Sequence, residues 1–377
     1  MTVLLAVEPV LPEHRYTQSE LTDALVDIIG LDERGERLIR RIHAGCEVGH
    51  RHIALPIDRY AALTDFGQTN DAFIEAAVDL GARALTRALD GAGLTVEDLD
   101  VIVSVTITGL AVPSLEARIA ERVGLRPDVV RVPIVGLGCM AGAAGTARLH
   151  DLLAGRPGAV GALVSVELCS LTVQRGDDSG ANLVASGLFG DGAAAVVAVG
   201  DEHPRAAERR NTSALDASGV SPPPPRAELS RRAMPRVVGS ASRLYAGTEA
   251  VMGWDVRSTG LRIVLGAEVP DLVRDNVGRD VAAFLAQHGL TIADVDWWVC
   301  HPGGPKVIDS LAATLGLPRE TLALTTQSLR EVGNLSSASV LHILRTALDA
   351  QPAPGTHGLM MAMGPGFSLE LVLLEAT

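Results

Sequence analysis

The chain repeats itself. Gly93-Leu94-Thr95-Val96-Glu97-Asp98-Leu99-Asp100 returns as Gly289-Leu290-Thr291-Ile292-Ala293-Asp294-Val295-Asp296, at an offset of 196 positions. Gly124-Leu125 returns as Gly316-Leu317 at an offset of 192, and Gly138-Cys139 as Gly333-Asn334 at 195. A near-constant offset across three landmarks marks a duplicated unit, which narrows the choice of fold more than composition does. The first landmark in each copy follows a long helical stretch. It leads into an apolar run, Val101-Ile102-Val103-Ser104-Val105 in one copy and Trp297-Trp298-Val299-Cys300 in the other. Buried strands alternating with helices predict an α/β chain with a parallel or mixed sheet covered on both faces. Two similar βαβ-rich halves packed together would turn their equivalent helix starts toward a shared centre. That places Asn334 near Cys139.

Local patterns fill in the rest. Thr17 to Glu20 read as a capping box opening a helix. Phe73, Ala76, Ala77, Leu80, Ala84 and Ala88 keep a 3.6 period over residues 70–93. Residues 115–123 read as helix, and residues 129–135, 159–167 and 193–199 as strands. Ser221-Pro222-Pro223-Pro224-Pro225 falls in a stretch without apolar periodicity, so residues 201–236 are expected to form a connecting loop between halves spanning 1–200 and 237–377.

Bulk properties exclude several functions. The net charge of −13 argues against general nucleic-acid binding. Cys46, Cys139, Cys169 and Cys300 are far apart, without the pairing of a zinc ribbon or a disulfide framework. No apolar run approaches the roughly 18 residues of a membrane span. The opening residues lack a signal peptide's basic start, so the expected address is cytoplasmic. There is no Walker loop, and the glycines at 136, 138 and 142 have the wrong spacing for a dinucleotide fingerprint.

Chemistry concentrates at three places. Cys139 sits between a strand-like run and a helix, where free N–H groups and the helix dipole favour a thiolate; a buried structural thiol is the other reading. His301 follows the apolar strand of the second copy, at the carboxyl end where sheets of this kind gather ligands. Asn334 opens the helix equivalent to that of Cys139, and would also serve as a plain N-cap. All three arrive at one end of a pseudo-symmetric sheet. A basic run, Arg34, Arg37, Arg40, Arg41, His43, His50, Arg51 and His52, is either a solvated helix face or a landing site for a phosphate-bearing cofactor.

Five segments in this order carry a resemblance. They are Gly136-Leu137-Gly138-Cys139, Gly187-Leu188-Phe189-Gly190-Asp191-Gly192, His301-Pro302-Gly303-Gly304, Gly333-Asn334-Leu335-Ser336-Ser337 and Met363-Gly364-Pro365-Gly366. Together they resemble the type III polyketide synthases, the chalcone-synthase-like enzymes of the thiolase superfamily. The resemblance implies a thiolase fold, with duplicated βαβαβ halves in a five-layered αβαβα arrangement. It also implies a homodimer that takes acyl-CoA starters and malonyl-CoA and uses no metal or redox cofactor. Residue by residue, it makes Cys139 the nucleophile and His301 and Asn334 its partners. Phe189 becomes a gatekeeper, and Thr108, Cys169, Thr172 and Ser336 line the cavity. Arg41 lies in the CoA-contacting segment, and Gly364, Pro365 and Gly366 form a loop flooring the site. Val112-Pro113 matches a segment that reaches toward the partner's cavity.

Departures from the plant pattern are local. Ile263 stands where plant members carry a second gatekeeper phenylalanine, Met363 replaces a phenylalanine, Trp254 replaces a glycine, and Ala44 and Val48 replace cations. These changes point to an aliphatic or small starter, with an alkylpyrone, alkylresorcinol or related phenolic as product. A thiolate suits repeated acyl transfer, being both nucleophile and leaving group. Donors from His301 and Asn334 would stabilise the enolate left when malonyl-CoA loses carbon dioxide, at roughly 3–4 kcal/mol per donor. Two alternatives share the fold: a chain-initiating ketoacyl-carrier-protein synthase that condenses once, and a subunit that binds without turnover.

Overall fold

In the computed structural model the two copies of the repeat fold alike; residues 1–206 and 234–377 are described. Thr95 and Thr291 each open a single 3-10 turn, Val96–Asp98 and Ile292–Asp294, and each turn closes as a capping box. The N–H groups of Thr95 and Thr291 donate to Asp98 and Asp294, both at 2.8 Å. Long helices precede them (Phe66–Ala92 and Gly278–Gln287) and short strands follow (Val101–Val105 and Trp297–Cys300). The next helices, Leu115–Val123 and Pro305–Leu315, both end on glycines with positive φ, Gly124 at 76° and Gly316 at 67°. A side chain is disfavoured in that conformation, which accounts for glycine at both landmarks. The copies then differ. The first continues into the strand Val130–Ile134, the second into the helix Ala323–Val332.

Among the described residues nine strands make one mixed sheet. In spatial order they are Trp297–Cys300, His357–Gly364, Ser368–Ala376, Pro235–Leu244, Thr2–Val10, Asp191–Gly200, Val160–Leu168, Val101–Val105 and Val130–Ile134. The halves meet edge to edge where Thr2 and Val3 pair with Val237 and Arg236. The expected loop 201–236 lies mostly outside the described residues, and Pro235 and Arg236 already belong to a strand.

Alternating side chains show how the sheet is layered. On the first-half strands Ile102, Val164 and Val197 pack into a core with the helix Phe66–Ala92, while Val103, Leu163 and Val196 face the other way. On the second-half strands Met360 and Val372 join that same central core, and Met361 and Leu373 turn outward toward the helices Gly278–Gln287 and Pro305–Leu315. The central core contains the apolar faces of Ala141–Ala154 and Ser337–Asp349. Two helices are thus sandwiched between two half-sheets, with further helices outside each. This is the five-layered αβαβα arrangement of the thiolase fold. Strand residues 193–199 have no exposed surface at all, as a strand covered on both faces requires.

The helix at Thr17 forms as expected, Gln18–Ile29, with Glu20 closing its capping box. The basic run is mostly a solvated face: Arg37 pairs with Glu33, and Arg40 with Asp23 and Glu36. His43 and Arg51 are exceptions and are buried. No described helix is long and apolar enough to cross a membrane.

Candidate active site

Cys139 lies in a 3-10 turn, Gly138–Met140, that feeds directly into the helix Ala141–Ala154. The turn is tight because other chain segments press on it. A β carbon on Gly138 would fall 2.5 Å from Pro365, and one on Gly364 would fall 2.5 Å from the Leu137 carbonyl. The Met363–Gly366 segment therefore packs against the turn that carries the thiol. Cys139 Sγ is 3.5 Å from Ser336 Oγ.

His301 follows its strand and stays registered to the sheet through its N–H, which donates to the Met361 carbonyl at 2.9 Å. Asn334 is pinned by two backbone hydrogen bonds that together make a parallel bridge to Phe189. Its N–H donates to Leu188 O and its carbonyl accepts from Gly190 N–H, both at 2.9 Å. The amide orientation follows from its neighbours. Asn334 Oδ1 accepts from the Ser336 N–H at 2.8 Å, which leaves Nδ2 turned to His301 Nε2 at 3.4 Å. Asn334 is therefore not the N-cap; Ser336 holds that position, with φ at 50°. A non-glycine residue there costs on the order of 1–3 kcal/mol, a strain commonly held at functional sites.

All three side chains line one cavity of about 640 Å³. Arg41, Phe189, Trp254, Ile263, Ser336, Met363 and Pro365 line it too. Trp254 and Ile263 are cross-strand partners in a small hairpin, Met252–Arg257 with Gly260–Leu265. With Phe189 they separate this cavity from a smaller one containing Cys169 and Thr172. Two expectations change here. Cys169 and Thr172 sit behind the partition, and Thr108 faces a separate narrow cleft because its hydroxyl donates to Glu167 at 2.9 Å. Gly364 and Gly366 support the floor by packing; Gly366 N–H donates to Met252 O at 3.1 Å.

Burial shapes the electrostatics. Cys139 keeps accessible surface only because it faces the cavity, and burial pushes its thiol up to about 12. Desolvation pulls His301 down to about 3, and its Nδ1 is buried without a hydrogen-bond partner. Neither group supports a charge alone. A thiolate here therefore needs a positive charge beside it, which a protonated His301 on the same cavity wall would supply.

Sequence reasoning missed Glu167. It is the last residue but one of the apolar strand Val160–Leu168 and has no exposed surface. Its carboxyl accepts from Ile107 N–H at 3.1 Å, Thr108 Oγ1 at 2.9 Å, Ser336 Oγ at 3.3 Å and Ser337 Oγ. Burial still outweighs those donors and raises it to about 7. The available signal was a lone acid at the carboxyl end of an otherwise apolar strand.

Residues 1–202 match the N-terminal domain of chalcone and stilbene synthases, and residues 236–377 match the C-terminal domain. The chain belongs to the chalcone and stilbene synthase family. As a type III polyketide synthase it is an acyltransferase. It is 48% identical over 375 residues to a 1,3,6,8-tetrahydroxynaphthalene synthase of Streptomyces peucetius subsp. caesius, covering 99% of this chain and 93% of the relative. A phloroglucinol synthase of Pseudomonas fluorescens is 28% identical and covered in full, as is this chain. The crystal structure of a tetrahydroxynaphthalene synthase from Streptomyces coelicolor, a bacterial type III polyketide synthase, superposes with a TM-score of 0.85. The two share 29% identity over 100% of this chain and 99% of that one.

Proposed function

We propose that the enzyme loads an acyl group from a CoA thioester onto Cys139 and extends it by decarboxylative condensation of malonyl-CoA. The orientation of Asn334 carries this reading. Its Nδ2 is turned outward beside His301 Nε2, so two donors can meet one thioester oxygen in the cavity that also holds the thiol. Malonyl-CoA loses carbon dioxide, and the released electron pair is held as an enolate on that oxygen. The carbanion attacks the acyl carbonyl on Cys139, a carbon–carbon bond forms, the carbon–sulfur bond breaks and the thiolate leaves. No step calls for a metal or a redox cofactor.

The cavity volume lies in the range of small-molecule sites, and its lining is largely aliphatic, which suits a small or aliphatic chain. The relative that is 48% identical supports a hydroxylated naphthalene as product. Oxygens at alternating ring carbons are what a linear poly-β-ketone built from malonyl units alone would give on closure. Purified enzyme supplied with malonyl-CoA, with and without a series of acyl-CoAs, tests this by product mass. Absence of carbon dioxide release with every starter overturns it, and a lone β-ketoacyl product reassigns it to a single condensation.

The working unit in this reading is a homodimer. Val112 and Val135 are 95% and 57% exposed, and Val135 directly follows the sheet's edge strand Val130–Ile134. The Val112-Pro113 peptide is cis.

A further inference from the structure

The wall between the two cavities stands on an element that the main sheet does not hold. Trp254 and Ile263 sit on the hairpin Met252–Arg257 with Gly260–Leu265, and among the described strands these two pair only with each other. A two-stranded hairpin is marginal in water, so what fixes it must come from its surroundings. One anchor lies at its open end, where Gly366 N–H donates to Met252 O at 3.1 Å. The other lies at its turn and comes from the first half of the chain.

Gln174 makes that second anchor. It is buried, and both ends of its amide are used. Nε2 donates to Leu261 O at 3.2 Å and to Thr172 O at 3.0 Å, and Oε1 accepts from Thr259 Oγ1 at 2.8 Å. The hairpin comes close here: a β carbon on Gly260 would lie 3.3 Å from Gln174 Nε2. Asp177 adds an ion pair with Arg262 at 2.9 Å. Among the described residues, no other side chain outside the hairpin forms a hydrogen bond to it. Asn182 holds this segment from behind, its Nδ2 donating to Gln174 O at 3.1 Å and to Asp177 O at 2.7 Å. The helix that carries Asn182, Gly180–Leu188, is capped by Phe189, the third residue of the partition. The Trp254–Ile263 pair lies between the two anchors, since Met252 faces Leu265 at one end of the hairpin and Arg257 faces Gly260 at the other. Swinging the hairpin away would leave a buried amide and a buried carbonyl without partners, which opposes the motion.

We infer that Gln174, backed by Asp177, is a positioning residue that holds the partition closed and so limits how far the acyl chain can grow. This rests on the reading of the enzyme as a chain-extending synthase. Neither residue lines the cavity of the thiol; both act through Trp254 and Ile263.

Gln174→Leu keeps the bulk and removes the bonds. It should shift product masses toward more condensations, the direction expected of Trp254→Ala, and add nothing in a Trp254→Ala background, where the wall is already gone. An unchanged product profile overturns the inference, and so does a double variant whose shift is the sum of the two single ones. Trp254 fluorescence reads the partition without turnover, taken as the difference between each protein and its Trp254→Phe counterpart. Acrylamide quenching of that signal should rise about twofold in Gln174→Leu as the hairpin opens more often; equal quenching overturns the inference. A residue serving stability alone would lower the unfolding midpoint and leave both readouts in place. Thr259→Val deletes one donor at an exposed turn and should move both readouts the same way by less, which keeps the test decisive if Gln174→Leu does not fold. Should wild type make no polyketide, the reading of function falls and the quenching still decides this one.

Discussion

Gly142 and Ser337 occupy equivalent positions in the repeat, 195 residues apart, and they meet backbone to backbone. A β carbon on Gly142 would lie 2.1 Å from the Ser337 carbonyl oxygen. The contact brings the starts of the two central helices together, and with them Cys139 and Asn334. Glycine is required here by proximity rather than by a turn.

Gly142→Ala therefore wedges the central helices apart. The expected cost is about 1–3 kcal/mol in denaturant unfolding, with a disproportionate loss of turnover as Cys139 moves away from Asn334. An alanine variant with wild-type stability and rate would show that the contact is slack.

The thiol and the two donors have separable tasks. Cys139→Ala should abolish the acyl-enzyme mass increment and all polyketide, yet still release carbon dioxide from malonyl-CoA. Asn334→Ala should keep the increment and lose decarboxylation by roughly 10²–10³-fold. Intact-protein mass and carbon dioxide release read the two activities independently.

Charge sharing between Cys139 and His301 has its own signature. Since burial opposes a lone thiolate, removing the imidazole strands the proton on sulfur. His301→Gln is expected to slow alkylation of Cys139 by iodoacetamide about tenfold near pH 7 and to move the rate profile to higher pH. Identical profiles would mean the thiol ionises without its partner.

Glu167 makes stability depend on pH. Its folded value, about 7, exceeds its ordinary 4.5, so the native state keeps the proton where the unfolded chain has lost it. Stability from this group is therefore full at low pH and falls as pH rises through that window. Glu167→Gln removes the slope. The stability difference between wild type and variant should shift against wild type by roughly 2 kcal/mol between about pH 5.5 and pH 7. A constant difference across that range would place the ionised carboxylate in the native state throughout.

Trp254 and Ile263 hold the partition between two cavities. Trp254→Ala is expected to join them, and the enzyme should then accept longer acyl-CoA starters or release products with more condensations. Product masses from a graded acyl-CoA series check this.

What the sequence made legible depended on its periodicities. The repeat revealed two halves, and strand ends revealed where His301 and Cys139 point, because backbone direction is written in residue spacing. Side-chain rotation about those backbones is not. Thr108, Cys169 and Thr172 follow closely on the right strands, but Glu167 claims Thr108, and a Trp254–Ile263 pair closes off the other two. Glu167 escaped notice because its donors come from residues about 60 and 170 positions distant, a convergence no local pattern records.

The strand Thr2–Val10 is synthesised before both of its sheet neighbours, Asp191–Gly200 and Pro235–Leu244, yet it lies between them. Until the second half is synthesised, the first half carries an open strand edge and an uncovered apolar helix face. Such surfaces invite self-association, so the leading half expressed by itself should precipitate rather than fold, and chaperone protection matters most during the interval before residue 235 emerges.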